Sequence, residues 1–175
     1  MSGSRVRTSL LAALIALISV MGVAYAATLI APAGRPILTI SGKISATNKD
    51  STAQFDRPML EALGMVKVET TTPWHEGRNT FEGVSLDKLL QHVGATGQRV
   101  VVVALNDYTT DIPIEDFRKF NVILALKRNG EYMSVRDKGP LFIIYPYDSN
   151  PDLKSQTYYA RSAWQVARID VREHG

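Results

Sequence analysis

Residues 71–95 read TTPWHEGRNTFEGVSLDKLLQHVGA, and their second half carries a helical pattern. Apolar side chains recur there at i, i+3, i+4 and i+7, which is the spacing of an amphipathic helix: Leu86, Leu89, Leu90 and Val93. Ser85 stands before the pattern as an N-cap, and Gly94 stands after it as a stop. The polar residues 75–80 are predicted to form a loop. The stretch therefore predicts a polar loop that leads into a helix with one apolar face.

Strands are predicted on both sides of this stretch. Upstream, residues 37–42 and 65–71 alternate apolar and polar side chains, as half-buried strands do. Downstream, three continuous apolar runs indicate strands that are covered on both faces, at residues 99–105, 122–126 and 141–145. The tail, residues 158–173, ends in an alternating strand. Its candidate core residues are Trp164, Val166, Ile169 and Val171.

Short helices and one tight turn complete the pattern. Asp56 is placed to cap a helix that stops at Gly64, and a second short helix follows Pro113. Asn129-Gly130 is the sequence of a two-residue hairpin turn. No repeat or internal linker interrupts the chain. The sequence therefore predicts the α+β class, as a single compact domain with a mixed β-sheet and short helices packed on it.

Residues 1–26 have the organisation of a secretory signal peptide. Basic residues precede a 14-residue apolar run, and Ala24-Tyr25-Ala26 fits the cleavage pattern. The run is shorter than the roughly 20 residues of a membrane span, although an uncleaved anchor is the alternative. We therefore predict a folded domain at residues 27–175, periplasmic or secreted, that does not span the membrane after cleavage near Ala26.

Charge and residue types exclude several classes of function. Without the two arginines of the leader, 18 basic and 17 acidic residues remain, a net charge of +1 that does not indicate a nucleic-acid partner. The chain has no cysteine, so it offers no thiolate to a metal or an iron–sulfur cluster. His75 and Glu76 are adjacent and would not face one ion together. We therefore expect no haem, iron–sulfur or zinc site.

Unusual polar and aromatic side chains collect in four predicted loops, at residues 70–76, 105–113, 134–140 and 145–164. Loops held by a rigid sheet are where ligand sites usually lie. The alternative is structural, since threonines, Asn-Asp pairs and Arg-Asp-Lys-Gly sequences also form ordinary turns, and tryptophans clamp loops. No nucleophile elbow, phosphate loop or dinucleotide fingerprint is present.

Four segments resemble the sulfite-oxidase-type molybdopterin-binding domain: residues 71–95, 102–113, 129–148 and 158–171. The chain is similar to small exported bacterial proteins described as oxidoreductase molybdopterin-binding domain proteins, over about residues 37–172. The resemblance implies an α+β fold of that type. It also implies a molybdopterin-dependent oxidoreductase wherever such a protein is active.

The resemblance further implies a set of cofactor-binding positions. The metal-ligating cysteine of the family corresponds to a stretch around Thr71, near Trp74, where a neutral hydroxyl does not replace a soft thiolate. Arg161 and Ser162 match the family's phosphate-binding pair, with Lys138 and Lys154 as helpers. The cofactor or substrate pocket corresponds to Asn106, Asp107 and Tyr108. No residue of the chain is assigned as a metal ligand.

Three hypotheses about function follow. The chain is a molybdopterin-binding oxidoreductase domain without the usual ligand, a metal-free exported binding module, or a purely structural protein. The module would bind a small anionic ligand or a partner protein, such as a membrane-bound redox or signalling protein. The leader separates its arginines by Val6, unlike the twin-arginine signals that export loaded cofactor proteins of this family. The lost thiolate and this leader both favour the module.

Overall fold

A computed structural model describes residues 28–173, so the predicted signal peptide lies outside the described residues. The described part contains ten strands: β1 Leu38–Gly42, β2 Ala53–Phe55, β3 Met65–Thr72, β4 His75–Ser85, β5 Arg99–Ala104, β6 Thr109–Pro113, β7 Ile123–Arg128, β8 Glu131–Tyr132, β9 Phe142–Ile144 and β10 Val166–Arg172. Its four α-helices are α1 Arg57–Ala62, α2 Leu86–His92, α3 Glu115–Lys119 and α4 Gln156–Arg161. Short 3-10 turns occupy Val135–Asp137, Tyr147–Ser149 and Pro151–Leu153.

The strands form two five-stranded sheets. The first has the order β2-β1-β10-β5-β6, and its β1–β10 pair is parallel while its other pairs are antiparallel. The second is antiparallel, with β3, β4 and β7 side by side. Strands β8 and β9 both pair with β7, and β4 already occupies its other edge. The α+β class with short helices is confirmed, and its strands are divided between two sheets.

One apolar core joins the two sheets and a smaller cluster lies beyond the second. In β7, Leu124 and Leu126 belong to the main core, whereas Ile123 and Ala125 face the smaller cluster. Strand β7 is therefore covered on both faces, as its continuous apolar sequence predicts. The same prediction is wrong for β5, where buried and half-buried residues alternate. The reason is that the first sheet buries only one of its faces against the core.

The predicted polar loop at residues 75–80 is instead the start of β4. Thr72 pairs with His75, which leaves Pro73 and Trp74 as the turn of a β3–β4 hairpin. The polar sequence is misleading because this end of the hairpin is mostly exposed, while its backbone still pairs across the two strands. Residues 109–113, also predicted as loop, form edge strand β6 for the same reason. Helix α4 was not predicted.

The predicted caps and the tight turn are confirmed. Asp56 Oδ1 accepts a hydrogen bond from the Met59 amide at 3.0 Å, and Ser85 Oγ accepts from the Lys88 amide at 3.3 Å. Asn129 and Gly130 have φ values of 52° and 86°, as the two-residue turn requires. Within residues 28–173, no helix has the length and apolar character needed to cross a membrane.

Gly83 tests the contact between β4 and β7. An alanine Cβ at this position would press on the carbonyl oxygen of Leu124 and lie 2.5 Å from the Cα of Ala125. Since backbone cannot yield cheaply, Gly83→Ala should lower the free energy of unfolding by about 3 kcal/mol in urea denaturation. The neighbouring control Glu82→Ala loses a 3.7 Å pair with the exposed Lys67 and meets no backbone clash, so it should cost about 1 kcal/mol. Equal losses in the two variants would contradict the close approach.

Candidate functional site

A cleft of about 260 Å³ lies between the β3–β4 turn, the loop after β5 and helix α4. Four of the predicted site residues line it: Trp74, Asn106, Tyr108 and Ser162. The remaining lining residues were not in the predicted set: Gln156, Tyr159, Ala160 and Trp164. The sequence pattern predicts Trp164 as a core residue, and its aromatic character is the signal that it can also line a site. Nothing in the sequence singles out Gln156.

Trp74 is the centre of an aromatic cluster behind this cleft. Its ring centroid lies 5.5 Å from those of Phe142 and Trp164, and 5.9 Å from that of Tyr159. The indoles of Trp74 and Trp164 meet at 69°, an edge-to-face geometry that is favourable for aromatic pairs. Both tryptophans pack on the smaller apolar cluster while lining the cleft. They are therefore at once clamping residues and walls of the site.

The loop after β5 closes one side of the cleft. The Tyr108 hydroxyl donates to the Ala160 carbonyl oxygen at 2.8 Å, which ties the loop to α4. Asn106 Oδ1 accepts from the Tyr108 amide at 3.2 Å, so Asn106 also holds the turn. Asp107 is exposed at φ 63° and does not line the cleft. Of this predicted trio, the structure brings Asn106 and Tyr108 into the site.

Lys138 does not line the cleft, but it packs on Trp164, which does. Its Nζ lies 4.2 Å from the ring centroid of Trp164, within cation–π distance. Lys138 and Gln165 both have left-handed backbones, at φ 65° and 54°, and the Gln165 amide donates to the Lys138 carbonyl oxygen at 3.0 Å. Such conformations cost residues with side chains about 1 kcal/mol or more and tend to collect at functional sites. The hydrogen bond between Gln165 and Lys138 thus keeps Trp164 next to Lys138.

Ser162 reaches the cleft, but its hydroxyl is already satisfied. It is 1% exposed, donates to the Tyr158 carbonyl oxygen at 2.9 Å and bonds with the Tyr147 hydroxyl. Because the serine proton is used on Tyr158, the Tyr147 hydroxyl is the donor to Ser162. Burial raises the pKa of Tyr147, which keeps that donor protonated. A ligand would have to displace one of these bonds to engage Ser162.

Arg161 turns away from the cleft to a buried carboxylate. Its Nη1 lies 2.8 Å from Asp116 Oδ2, and the Tyr145 hydroxyl donates to the same oxygen at 2.8 Å. Burial and the neighbouring Asp116 raise the pKa of Tyr145, so this donor also stays protonated. The predicted pair of Arg161 and Ser162 is therefore adjacent in sequence but does not converge on one ligand position.

Thr71 and Lys154 do converge, on the carboxylate of Asp148. Asp148 accepts from the Thr71 amide at 2.8 Å and from the Thr71 hydroxyl at 2.7 Å. Lys154 Nζ lies 2.9 Å away and Arg78 Nη2 lies 3.2 Å away. Lys154 first, and then Thr71, lower the pKa of Asp148. This cluster, which we call the Asp148 hub, fastens the β3–β4 hairpin to the turn after β9. Asp148 was not predicted as a site residue.

His75 is buried beneath the same hairpin. Its side chain is 6% exposed, and its Nδ1 lies 3.2 Å from the Thr72 hydroxyl. Its Nε2 has no hydrogen-bond partner within the described residues and lies 3.8 Å from Asp137 Oδ1. Burial first, and then the positive charge of Arg128, lower the pKa of His75. Across residues 28–173, no three acidic or histidine side chains are grouped to hold a metal ion.

Comparison with known proteins places this geometry in a family. Residues 47–149 match the family model described as oxidoreductase molybdopterin binding domain. A search of curated proteins finds no matching sequence. The sulfane dehydrogenase SoxCD from Paracoccus pantotrophus has a similar crystal structure, with a TM-score of 0.57, 17% identity and coverage of 78% of this chain. At that identity the likeness shows the fold, and this chain spans 38% of the SoxCD chain.

The Asp148 hub should contribute measurably to stability. Asp148→Ala leaves the Thr71 amide without its acceptor and separates Lys154 from its partner. We expect it to lower the free energy of unfolding by about 2–3 kcal/mol in urea denaturation. The control Asp111→Ala removes an exposed pair with Arg99 and should cost less than about 1 kcal/mol. A hub variant no weaker than this control would show that the cluster is incidental.

The buried His75 should make stability depend on pH. Its folded pKa lies below the ordinary value of about 6.5, so protonation favours the unfolded chain. The contribution of neutral His75 to the free energy of unfolding is therefore fully present near pH 7. It is lost as the pH falls below about 6.5. Because the pKa of Asp148 is lowered, its contribution to stability is lost only below about pH 4. A change in stability between pH 7 and pH 5 is therefore expected to come from His75.

The measurement is thermal unfolding of His75→Phe between pH 7 and 5. The variant should lose less stability than the parent over this range. His92→Gln, a change at an exposed histidine of α2, should keep the parental slope. If the stability of His75→Phe changed with pH as steeply as that of the parent, the pH dependence would belong to another group.

Proposed function

The chain belongs to the oxidoreductase molybdopterin-binding domain family, and we propose that it acts as an exported, metal-free binding module of that family. In this proposal it does not carry out molybdenum–thiolate chemistry of the sulfite-oxidase type. Its 175 residues contain no cysteine, so the polypeptide supplies no thiolate to molybdenum. The cleft walled by Trp74 and Trp164 is then the binding site, and its ligand is a small molecule.

The observation that carries the proposal is that the Thr71 hydroxyl and amide are both hydrogen-bonded within the chain. By the family resemblance, this residue lies in the stretch that corresponds to the metal-ligating cysteine. Its hydroxyl donates to Asp148 at 2.7 Å and its amide donates to the same carboxylate at 2.8 Å. A hydroxyl is also a hard, neutral donor and a poor replacement for a thiolate. The chemistry of this position and its hydrogen bonds both argue against a metal ligand.

The phosphate of a pterin cofactor would need cations and donors, and these are largely engaged within the chain. Arg161 pairs with Asp116, Lys154 pairs with Asp148, and the Ser162 hydroxyl is satisfied by its two bonds. The cleft volume of about 260 Å³ is also below the roughly 300–1,000 Å³ of sites that enclose larger ligands. The residues present therefore do not fit molybdopterin as this family holds it.

Export is the second part of the proposal. The leader at residues 1–26 and its separated arginines support passage of the unfolded chain to the periplasm. A protein exported in this way would not carry a cofactor loaded in the cytoplasm. The leader and the engaged cations thus support the same conclusion independently.

The proposal is tested by purifying the protein from the periplasm of its own host and measuring its N-terminus, its molybdenum content and its pterin content. We expect an N-terminus at Ala27, molybdenum far below one atom per chain, and no pterin fluorescence after oxidation. A cysteine-containing member of the family, purified in the same way, is the positive control for metal retention. Near-stoichiometric molybdenum with pterin in this protein would overturn the proposal and favour an oxidoreductase that holds its metal without cysteine.

A further inference from the structure

We infer that a groove at the start of β1 and β10 is a docking site for a partner protein, and that it receives a segment in which acidic residues flank an apolar side chain. The groove holds about 440 Å³ and is formed by the lead into β1, the loop after β5, the segment before β9 and the start of β10. This inference goes beyond the proposed function, because the groove and the cleft are lined by different residues.

Two large apolar side chains line the groove while remaining open to solvent. Leu105 is 54% exposed and Val135 is 51% exposed. The half-buried Ile37 and Pro140 extend this apolar floor. Exposed apolar side chains that share one patch with polar residues at its rim are typical of protein interfaces. A partner that places an apolar side chain here would remove apolar surface from water on both molecules.

Gln165 holds the backbone of the two exposed apolar residues in place. The Leu105 amide donates to the Gln165 carbonyl oxygen at 2.8 Å, and Gln165 Nε2 donates to the Val135 carbonyl oxygen at 2.8 Å. Gln165 has φ 54°, a left-handed conformation that is unfavourable for a residue with a side chain and tends to occur at functional sites. The groove is therefore preformed, and a partner would bind without first ordering these loops.

Two arginines give the groove its charge. Arg35 and Arg168 line it, are exposed, and form no ion pair within residues 28–173. Among the described residues that line the groove, none is acidic. The Asp170 carboxylate, two residues after Arg168, is bonded to Ser41 and Arg172 instead. Guanidinium groups bind carboxylates through paired hydrogen bonds, so these two arginines complement an acidic segment.

The combination of shape and charge favours a peptide segment over other anionic partners. A membrane surface is bound by apolar side chains that protrude into the lipid, whereas those of the groove lie in a concavity. A nucleic acid needs cations for several phosphates, and the groove offers two arginines. A small inorganic anion would leave the apolar floor exposed. An apolar side chain between acidic residues uses both features of the groove.

A peptide selection tests the inference without assuming the spacing of the acidic residues. We would select a phage library of random short peptides on the mature protein and discard sequences that also bind a variant carrying both Leu105→Ser and Val135→Ser. The remaining sequences should place acidic residues around an apolar one. Val66→Ser is the matched control, because Val66 is 42% exposed and lies outside the groove. It should bind the selected peptides as the parent does.

The charge is tested with a synthetic copy of the selected peptide by fluorescence anisotropy. Arg35→Gln and Arg168→Gln should each weaken binding about fivefold, as expected for an exposed ion pair, and should make it less sensitive to salt. Arg118→Gln should leave binding unchanged, since Arg118 is exposed and without an ion pair in the described part of the chain but lies outside the groove. Thermal melting verifies that every variant is folded.

The inference would be overturned if no selected peptide depended on Leu105 and Val135, or if the selected sequences were not acidic. Dimerisation of the parent that the double serine variant abolishes would also overturn it, in favour of a second copy as the occupant. Binding to phosphatidylglycerol vesicles that is lost in the same variant would overturn it in favour of a membrane surface. None of these results bears on the molybdenum content, which tests the proposed function alone.

Discussion

The candidate site depends on one carboxylate. Asp148 bonds to both the amide and the hydroxyl of Thr71, and so fixes the end of the β3–β4 hairpin to the turn after β9. Trp74 lies in the turn of that hairpin and centres the aromatic cluster, so its position follows from the same bonds. The Asp148 side chain is 14% exposed, which protects its pairs from much of the screening that weakens surface ion pairs. The Asp148 hub therefore holds the β3–β4 hairpin in place, and with it the Trp74 wall of the cleft.

The charges of this region serve two different purposes. Arg161 and Lys154 neutralise carboxylates at 2.8 Å and 2.9 Å, where an unpaired partner would be costly. Lys138 faces an aromatic ring instead, and its backbone is strained. Cations that balance buried acids stabilise the fold, whereas Lys138 packs on the Trp164 ring and does not line the cleft. Arg161 and Lys154, which sequence similarity groups together, thus pair with two different carboxylates.

Structure that depends on neighbouring residues is predicted well from this sequence. Contacts between residues that are far apart in the chain are not. Ser85 and Asp56 cap their helices as predicted, because a cap depends on residues three positions away. Three of the four predicted loops meet at a cleft, which Trp74, Asn106, Tyr108 and Ser162 line, whereas residues 134–140 do not line it. The positions of the cations could not be predicted, since Arg161 and Asp116 are 45 residues apart. Thr71 and Asp148 are 77 residues apart, and no pattern in a single sequence joins them.

The fold's rigidity at this site does not need a metal. The hub and the aromatic cluster hold the hairpin through hydrogen bonds and ring contacts, so loss of the metal-ligating cysteine leaves the cleft preformed. A preformed cleft binds without a large ordering cost, and its specificity is then set by the groups that the fold leaves uncommitted. In this chain the cleft is lined by the two tryptophans, by Tyr159 and by the amide of Gln156. Under the proposed function, these lining groups, rather than the family's cofactor chemistry, select the ligand.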